Sequence, residues 1–118
     1  SFKETEESFK RLKSLAREMS QLEVQIVGLD ADKNANEIAE LTTQLNRVQS
    51  EYKELYAITS KNLSGSQINA LNQEIDNGLS KAVDKIDRLN AKMADNSAVK
   101  NQTQAFRELL SVSKEIIS

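Results

Sequence analysis

Apolar residues recur along this chain with a spacing that alternates between three and four. The first stretch places them at Phe9, Leu12, Leu15, Met19, Leu22, Ile26 and Leu29, and from Leu12 onward the steps run 3, 4, 3, 4, 3. That is the a/d seam of a helix packing on another helix. Ala16 and Val27 widen the stripe, and Phe2 stands one heptad before Phe9. A second stretch, Ile38, Leu41, Leu45, Val48, Tyr52 and Leu55, repeats the same steps. A third runs Ile68, Leu71, Ile75, Leu79, Ala82, Ile86, Leu89 and Met93, with Val83 beside the seam. Its phase slips by one residue between Ile75 and Leu79, next to Gly78, where an insertion of this kind unwinds a coiled coil locally. The fourth stretch is Val99, Phe106, Leu109, Leu110, Ser113, Ile116 and Ile117, with Thr103 where an apolar residue is expected.

Breaks separate the stretches. Gly28 is followed by the polar run Asp30 to Asn36, which reads as a helix stop, a turn and a new N-cap. Leu63-Ser64-Gly65-Ser66 reads as a short connector, with Ser64 and Gln67 spaced as a capping box and Ser66 as the alternative N-cap. Asp95-Asn96-Ser97 looks like another cap. The pattern predicts one helical domain, 1–118, with helices over about 2–29, 36–62, 66–95 and 97–118, each spanning roughly 40 Å at about 1.5 Å per residue.

Two all-α arrangements satisfy this pattern. One is an antiparallel up-down four-helix bundle with heptad packing. The other is a long antiparallel hairpin, in which the first two helices stack end to end and pair with the last two. Ala16, Val24, Val27, Ala39, Tyr56, Ile58, Val83 and Leu110 lie beside the seams. A lone hairpin would leave them wet, so the bundle is expected.

The 118 residues include no Pro and only three Gly, which permits long uninterrupted helices. Lys plus Arg number 16 against 18 Asp plus Glu, and the two signs intermix as on a solvated helical surface. No basic stripe of the kind a nucleic-acid binder carries is visible. No apolar run is long enough to span a membrane, so any membrane tie is expected through segments outside this chain. Helix-like sequence at both ends points to a piece of a longer protein.

The chain has no Cys and no His. This removes thiolate chemistry, the commonest general base and the commonest zinc ligand, and no glycine-rich phosphate cradle is present. Asp30-x-Asp32-x-Asn34-x-Asn36 begins like a calcium loop, but Ala35 stands at the sixth position and Leu41 at the twelfth, where Gly and Glu are needed. Glu4, Glu6 and Glu7 complement a helix start. The sequons Asn62-Leu63-Ser64 and Asn101-Gln102-Thr103 read as chance matches. Arg11, Arg17, Arg47, Arg88 and Arg107 are scattered, and one or two of them in a receptor can clamp a carboxylate ligand. No catalytic residue, metal site or cofactor is expected. Tyr56, one turn from Tyr52, is the candidate for a partner contact, and Leu110, Val112 and Ile117 are candidates for contact with a second copy.

Four helices of near-equal length, carried by Leu15-Ala16-Arg17-Glu18-Met19, the turn from Asp30 to Asn36 and the seam from Ile38 to Tyr52, resemble the extracytoplasmic four-helix-bundle sensor domains of bacterial chemoreceptors and sensor kinases. That resemblance implies a membrane-tethered, periplasmic signal-input module. Gln21-Leu22-Glu23, Gln25-Ile26, Glu40-Leu41, Gln44-Leu45 and Lys61-Asn62-Leu63-Ser64 are similar to the α-hairpin of periplasmic adaptor (membrane fusion) proteins of efflux and type I secretion systems. At the family's tip motif only Ser64 matches, with Lys53 and Ala57 in place of Arg and Leu. Heptads alone also suit a helical tethering or SNARE-regulatory scaffold. The expected function is a non-enzymatic binding and signal-input module that senses a small-molecule ligand or a protein partner, or works as a homodimer, with the two other readings as alternatives.

Overall fold

A computed structural model describes residues 1–92 of the chain. They form three long helices: α1 (Phe2–Val27), α2 (Ala35–Thr59) and α3 (Gly65–Lys92). A 3-10 turn, Ser60–Asn62, extends α2. Met93, the last seam residue of the third stretch, and the stretch expected as a fourth helix, with its seam residues Phe106, Leu109 and Ile116 and the contact candidates Leu110, Val112 and Ile117, lie outside the described residues.

Each boundary has a local cause. At the start of α1, Ser1 Oγ accepts from the Glu4 amide and the Glu4 side chain reaches back to the Ser1 backbone, a closed capping box. At the start of α3, Ser64 Oγ accepts from the Gln67 amide at 3.1 Å while Gln67 Oε1 accepts from the Ser64 amide at 2.9 Å. The turn between α1 and α2 departs from expectation. Gly28 is right-handed (φ −81°), so it is no left-handed cap. Asn34 precedes α2 without a side-chain cap bond. Asp30 holds the turn instead, its Oδ1 accepting from the amides of Asp32 (2.8 Å) and Lys33 (3.0 Å).

The helices fold back side by side. α1 packs closely on both α2 and α3, whereas the backbones of α2 and α3 hardly approach one another. Contacts climb together from Arg17–Glu74 to Val24–Lys85, so α1 and α3 run parallel; α2 runs opposite to both. The long hairpin required α1 and α2 to be stacked end to end. The longest extent of the molecule is 54 Å, against the roughly 80 Å of a hairpin with about 55 residues per arm.

The core explains this arrangement. α1 buries Leu12, Leu15, Ala16, Met19, Leu22, Ile26 and Val27. At about 100° per residue these cover an arc of roughly 140°, wide enough to serve two neighbours. α2 buries Leu45, Val48 and Tyr52, and α3 buries Leu71, Ile75, Leu79, Ala82 and Ile86. Ile38, Leu41, Leu55, Ile68 and Phe9 are half-buried against this cluster, and Leu89 is half-buried too. Of the positions flanking the seams, Ala16 and Val27 are buried, Val24 is half-buried, and Ala39, Ile58 and Val83 stay exposed.

The phase slip at Gly78 does not unwind α3, which is continuous through it. Gly78 marks the point where α1 and α3 come closest. A Cβ added there would lie 2.1 Å from Ser20 Oγ and 2.8 Å from Ser20 Cα. Ser20 on α1 faces Gly78 on α3, and the missing side chain of Gly78 lets the two backbones close up.

Candidate functional site

The Ser20–Gly78 crossing forms the floor of a groove open to solvent between α1 and α3. Its volume is about 530 Å³, and its walls include Arg17, Gln21, Gln25, Glu74, Asn77 and Lys81. Heptad geometry explains the lining: these residues lie outside the apolar arcs of the two helices, on their polar faces. Arg17 Nε donates to Glu74 Oε1 at 3.1 Å and closes one end. The Ser20 hydroxyl lies 3.0 Å from the Glu74 carbonyl and 3.1 Å from the Ala16 carbonyl, and its one proton is shared between them. Among the described residues, a row of amides (Gln21, Gln25, Asn77) and the Lys81 ammonium keep unpaired polar capacity toward the groove. A second hollow, lined by Lys10, Lys13, Ser14 and Glu18, adjoins the first through Arg17 and Gln21.

At the far end of α1 the ammonium of Lys85, on α3, lies 3.4 Å from the Val24 carbonyl. α1 has no basic residue in its own last turn, so a cation from its neighbour meets the negative end of its dipole. Gly28 leaves space for that side chain, since an added Cβ would sit 2.6 Å from Lys85 Nζ.

Polar groups also lie inside the core. Tyr52 is 1% exposed, and its hydroxyl has no hydrogen-bond partner among the described residues. Its ring stacks on that of Tyr56, with centroids 5.9 Å apart. Burial pushes the Tyr52 hydroxyl above its ordinary pKa, and the neighbouring Tyr56 adds to the shift. Tyr56, the expected partner contact, is half-buried by this stack. Glu23 is 1% exposed within the apolar arc of α1, and Gln49 and Thr59 are buried on α2.

Sequence reasoning missed Glu23. The available signal was its position, four residues after Met19 and three before Ile26, which puts it on the buried face. It also missed the groove, whose amides carry no motif. Arg11 and Arg17 do not meet at one site: Arg11 Nε donates to Glu51 of α2 at 3.2 Å, on the opposite flank of α1.

Among the described residues no cluster of His, Cys, Asp and Glu is placed to hold a metal ion. Asp30, first in the calcium-like run, spends its carboxylate on backbone amides, which hold its pKa below the ordinary value. No described helix is long and apolar enough to cross a membrane. Compared with protein families, curated proteins and solved structures, the chain has no significant match to any of them.

Proposed function

We propose that this chain is a non-enzymatic binding and signal-input module built on a four-helix bundle, with residues 97–118 supplying the fourth helix. The observation that supports this reading is the groove over the Ser20–Gly78 crossing. A ligand or partner seated among Gln21, Gln25, Asn77 and Lys81 touches both walls at the place where the two helices are held closest. α1 packs on both α2 and α3, so a shift of α1 at this point moves it against α2 as well. Polar amides and an ammonium that has no ion pair among the described residues suit a polar or anionic group on a small molecule or a protein surface.

The reading carries a membrane tie only through segments outside the chain, on the periplasmic side of a bacterial membrane. The test is a photoreactive residue placed at Gln21 in the parent protein, with the same residue at Glu37 on the exposed start of α2 as reference. A discrete adduct from position 21 alone is expected. Equal labelling from both positions, or none, removes the support for the groove.

A scaffold or tethering role is the second reading, favoured by Phe2 (81% exposed) and Ile58 (72% exposed). The Arg11–Glu51 register brings these two residues to the same end of the α1–α2 pair. Replacement of both by Ser, followed by measured loss of a captured partner helix, separates this role from groove binding.

A further inference from the structure

The groove over the Ser20–Gly78 crossing has a repeat along its length. On the α1 wall Arg17, Gln21 and Gln25 stand four residues apart, and on the α3 wall so do Asn77 and Lys81. Four residues of helix advance about 6 Å and turn the side chain by only about 40°, so each row keeps to its wall. Two residues of extended peptide advance about 6.6 Å, and successive backbone N–H and C=O groups point to opposite edges. A carboxamide both donates and accepts. Gln21 and Gln25 on one wall, with Asn77 on the other, therefore match the two hydrogen-bonding edges of an extended chain laid along the groove.

The rim is cationic. Lys10, Lys13, Arg17 and Lys81 line the groove and the hollow that continues it, against the carboxylates of Glu18 and Glu74. The chain as a whole carries a net charge of −2, so this strip has the opposite sign. Glu74 is already held by Arg17. Lys10, Lys13 and Lys81 have no ion pair among the described residues. Lys13 is steadied over the Phe9 ring, its ammonium 5.9 Å from the centroid. From Lys10 to Gln25 the strip runs about 22 Å, the reach of about seven extended residues. A pocket for a small molecule encloses most of its ligand; a long trough open to solvent does not.

We infer that the groove takes an extended, acidic segment of a partner protein. The backbone of that segment pairs with the carboxamides of Gln21, Gln25 and Asn77, and its carboxylates meet Lys81 at one end and Lys10 and Lys13 at the other. Main-chain hydrogen bonds then supply affinity, as they do where a peptide adds to the edge of a sheet, and the lysines select for charge. The inference rests on the groove reading above and adds to it the chemistry and the conformation of the occupant.

The probe is a decapeptide of alternating glutamate and serine, added to the full chain while side-chain amide signals are followed by NMR. The signals of Gln21, Gln25 and Asn77 are expected to shift, and those of Gln44 and Asn46, exposed on α2, to stay in place. Lys81→Gln is expected to weaken binding by about two- to fivefold, and Lys53→Gln, on the exposed surface of α2, to leave it unchanged. A peptide N-methylated at every second residue keeps its charge but loses the donors of one edge, and is expected to bind about threefold less tightly or worse. Equal losses from the two lysine variants reduce the effect to diffuse charge and overturn the proposal, as does undiminished binding of the N-methylated peptide. Absence of any shift overturns the acidic segment; a discrete adduct from position 21 in the parent protein then leaves the groove reading standing, whereas failure of both removes the groove as well.

Discussion

Ser20 and Gly78 face each other across the closest approach of α1 and α3, and the absent side chain of Gly78 is what permits it. Alanine at position 78 gains roughly 1 kcal/mol in helix propensity. It also places a carbon 2.5 Å from Ser20 Cβ and 2.8 Å from Ser20 Cα. A rotamer change relieves neither contact, so the helices must move apart, at a cost of about 1–3 kcal/mol and sometimes more. Chemical denaturation of Gly78→Ala is expected to show net destabilisation of up to about 2 kcal/mol. Ser20→Gly in the same chain is expected to recover part of it.

The Tyr52 hydroxyl gives a second outcome, with opposite sign. Tyr52→Phe removes a buried oxygen that lacks a partner among the described residues and keeps the ring stacked on Tyr56. Stability is expected to stay level or rise by up to about 1 kcal/mol. The pH dependence follows from the raised pKa. The fold favours the neutral phenol, so its contribution is full below the ordinary value of 10 and is lost as pH rises above it. Wild type is expected to melt at steadily lower temperature above pH 10, and Tyr52→Phe to fall less steeply.

Asp30 titrates at the other end of the scale. Its carboxylate is stabilised by the amides of Lys33 and Asp32. A lowered pKa means that its contribution is present above the ordinary value of 3.8 and disappears as pH falls below it. Protection of the Asp32 and Lys33 amides from exchange, taken relative to the unprotected rate at each pH, is expected to fall in acid. In Asp30→Asn, which keeps the acceptor oxygen but not the charge, that acid dependence is expected to vanish.

Two cations on opposite flanks of α1 should respond differently to salt. Arg11 and Glu51 are both about half exposed, so removing the pair costs less than about 1 kcal/mol and the loss shrinks further at high ionic strength. Lys85 is partly buried at the end of α1, where Lys85→Met is expected to cost about 0.3–1 kcal/mol. Because that site is screened less, melting both variants at low and high salt is expected to abolish most of the Glu51→Gln effect and to preserve more of the Lys85→Met effect.

The apolar stripes were legible in the sequence because burial leaves a period, and Leu12 through Ile26 follow it step by step. The stops near Asp30 and Ser64 were legible because caps and turns need particular side chains. Neighbour relations were not legible. A heptad says which face of α1 is greasy but not that α3, rather than a stacked α2, closes on it. Gly78 shows why: in the sequence it looked like a flaw in the coil, and only the position of Ser20 reveals it as a contact. The groove stayed hidden for the same reason, since Gln21 and Asn77 are ordinary surface residues until two helices bring them together.

α1 is the element that the other two hold in common, and this sets an order of assembly. Its partners on α2 lie across a short turn, while Ser20 and Gly78 are separated by most of the described chain. Closing the longer loop costs more entropy, and its contacts come only after α3 has been made. The α1–α2 pair is therefore the scaffold that forms early, and the parallel strut α3 is the piece that a slowed or interrupted synthesis leaves unplaced.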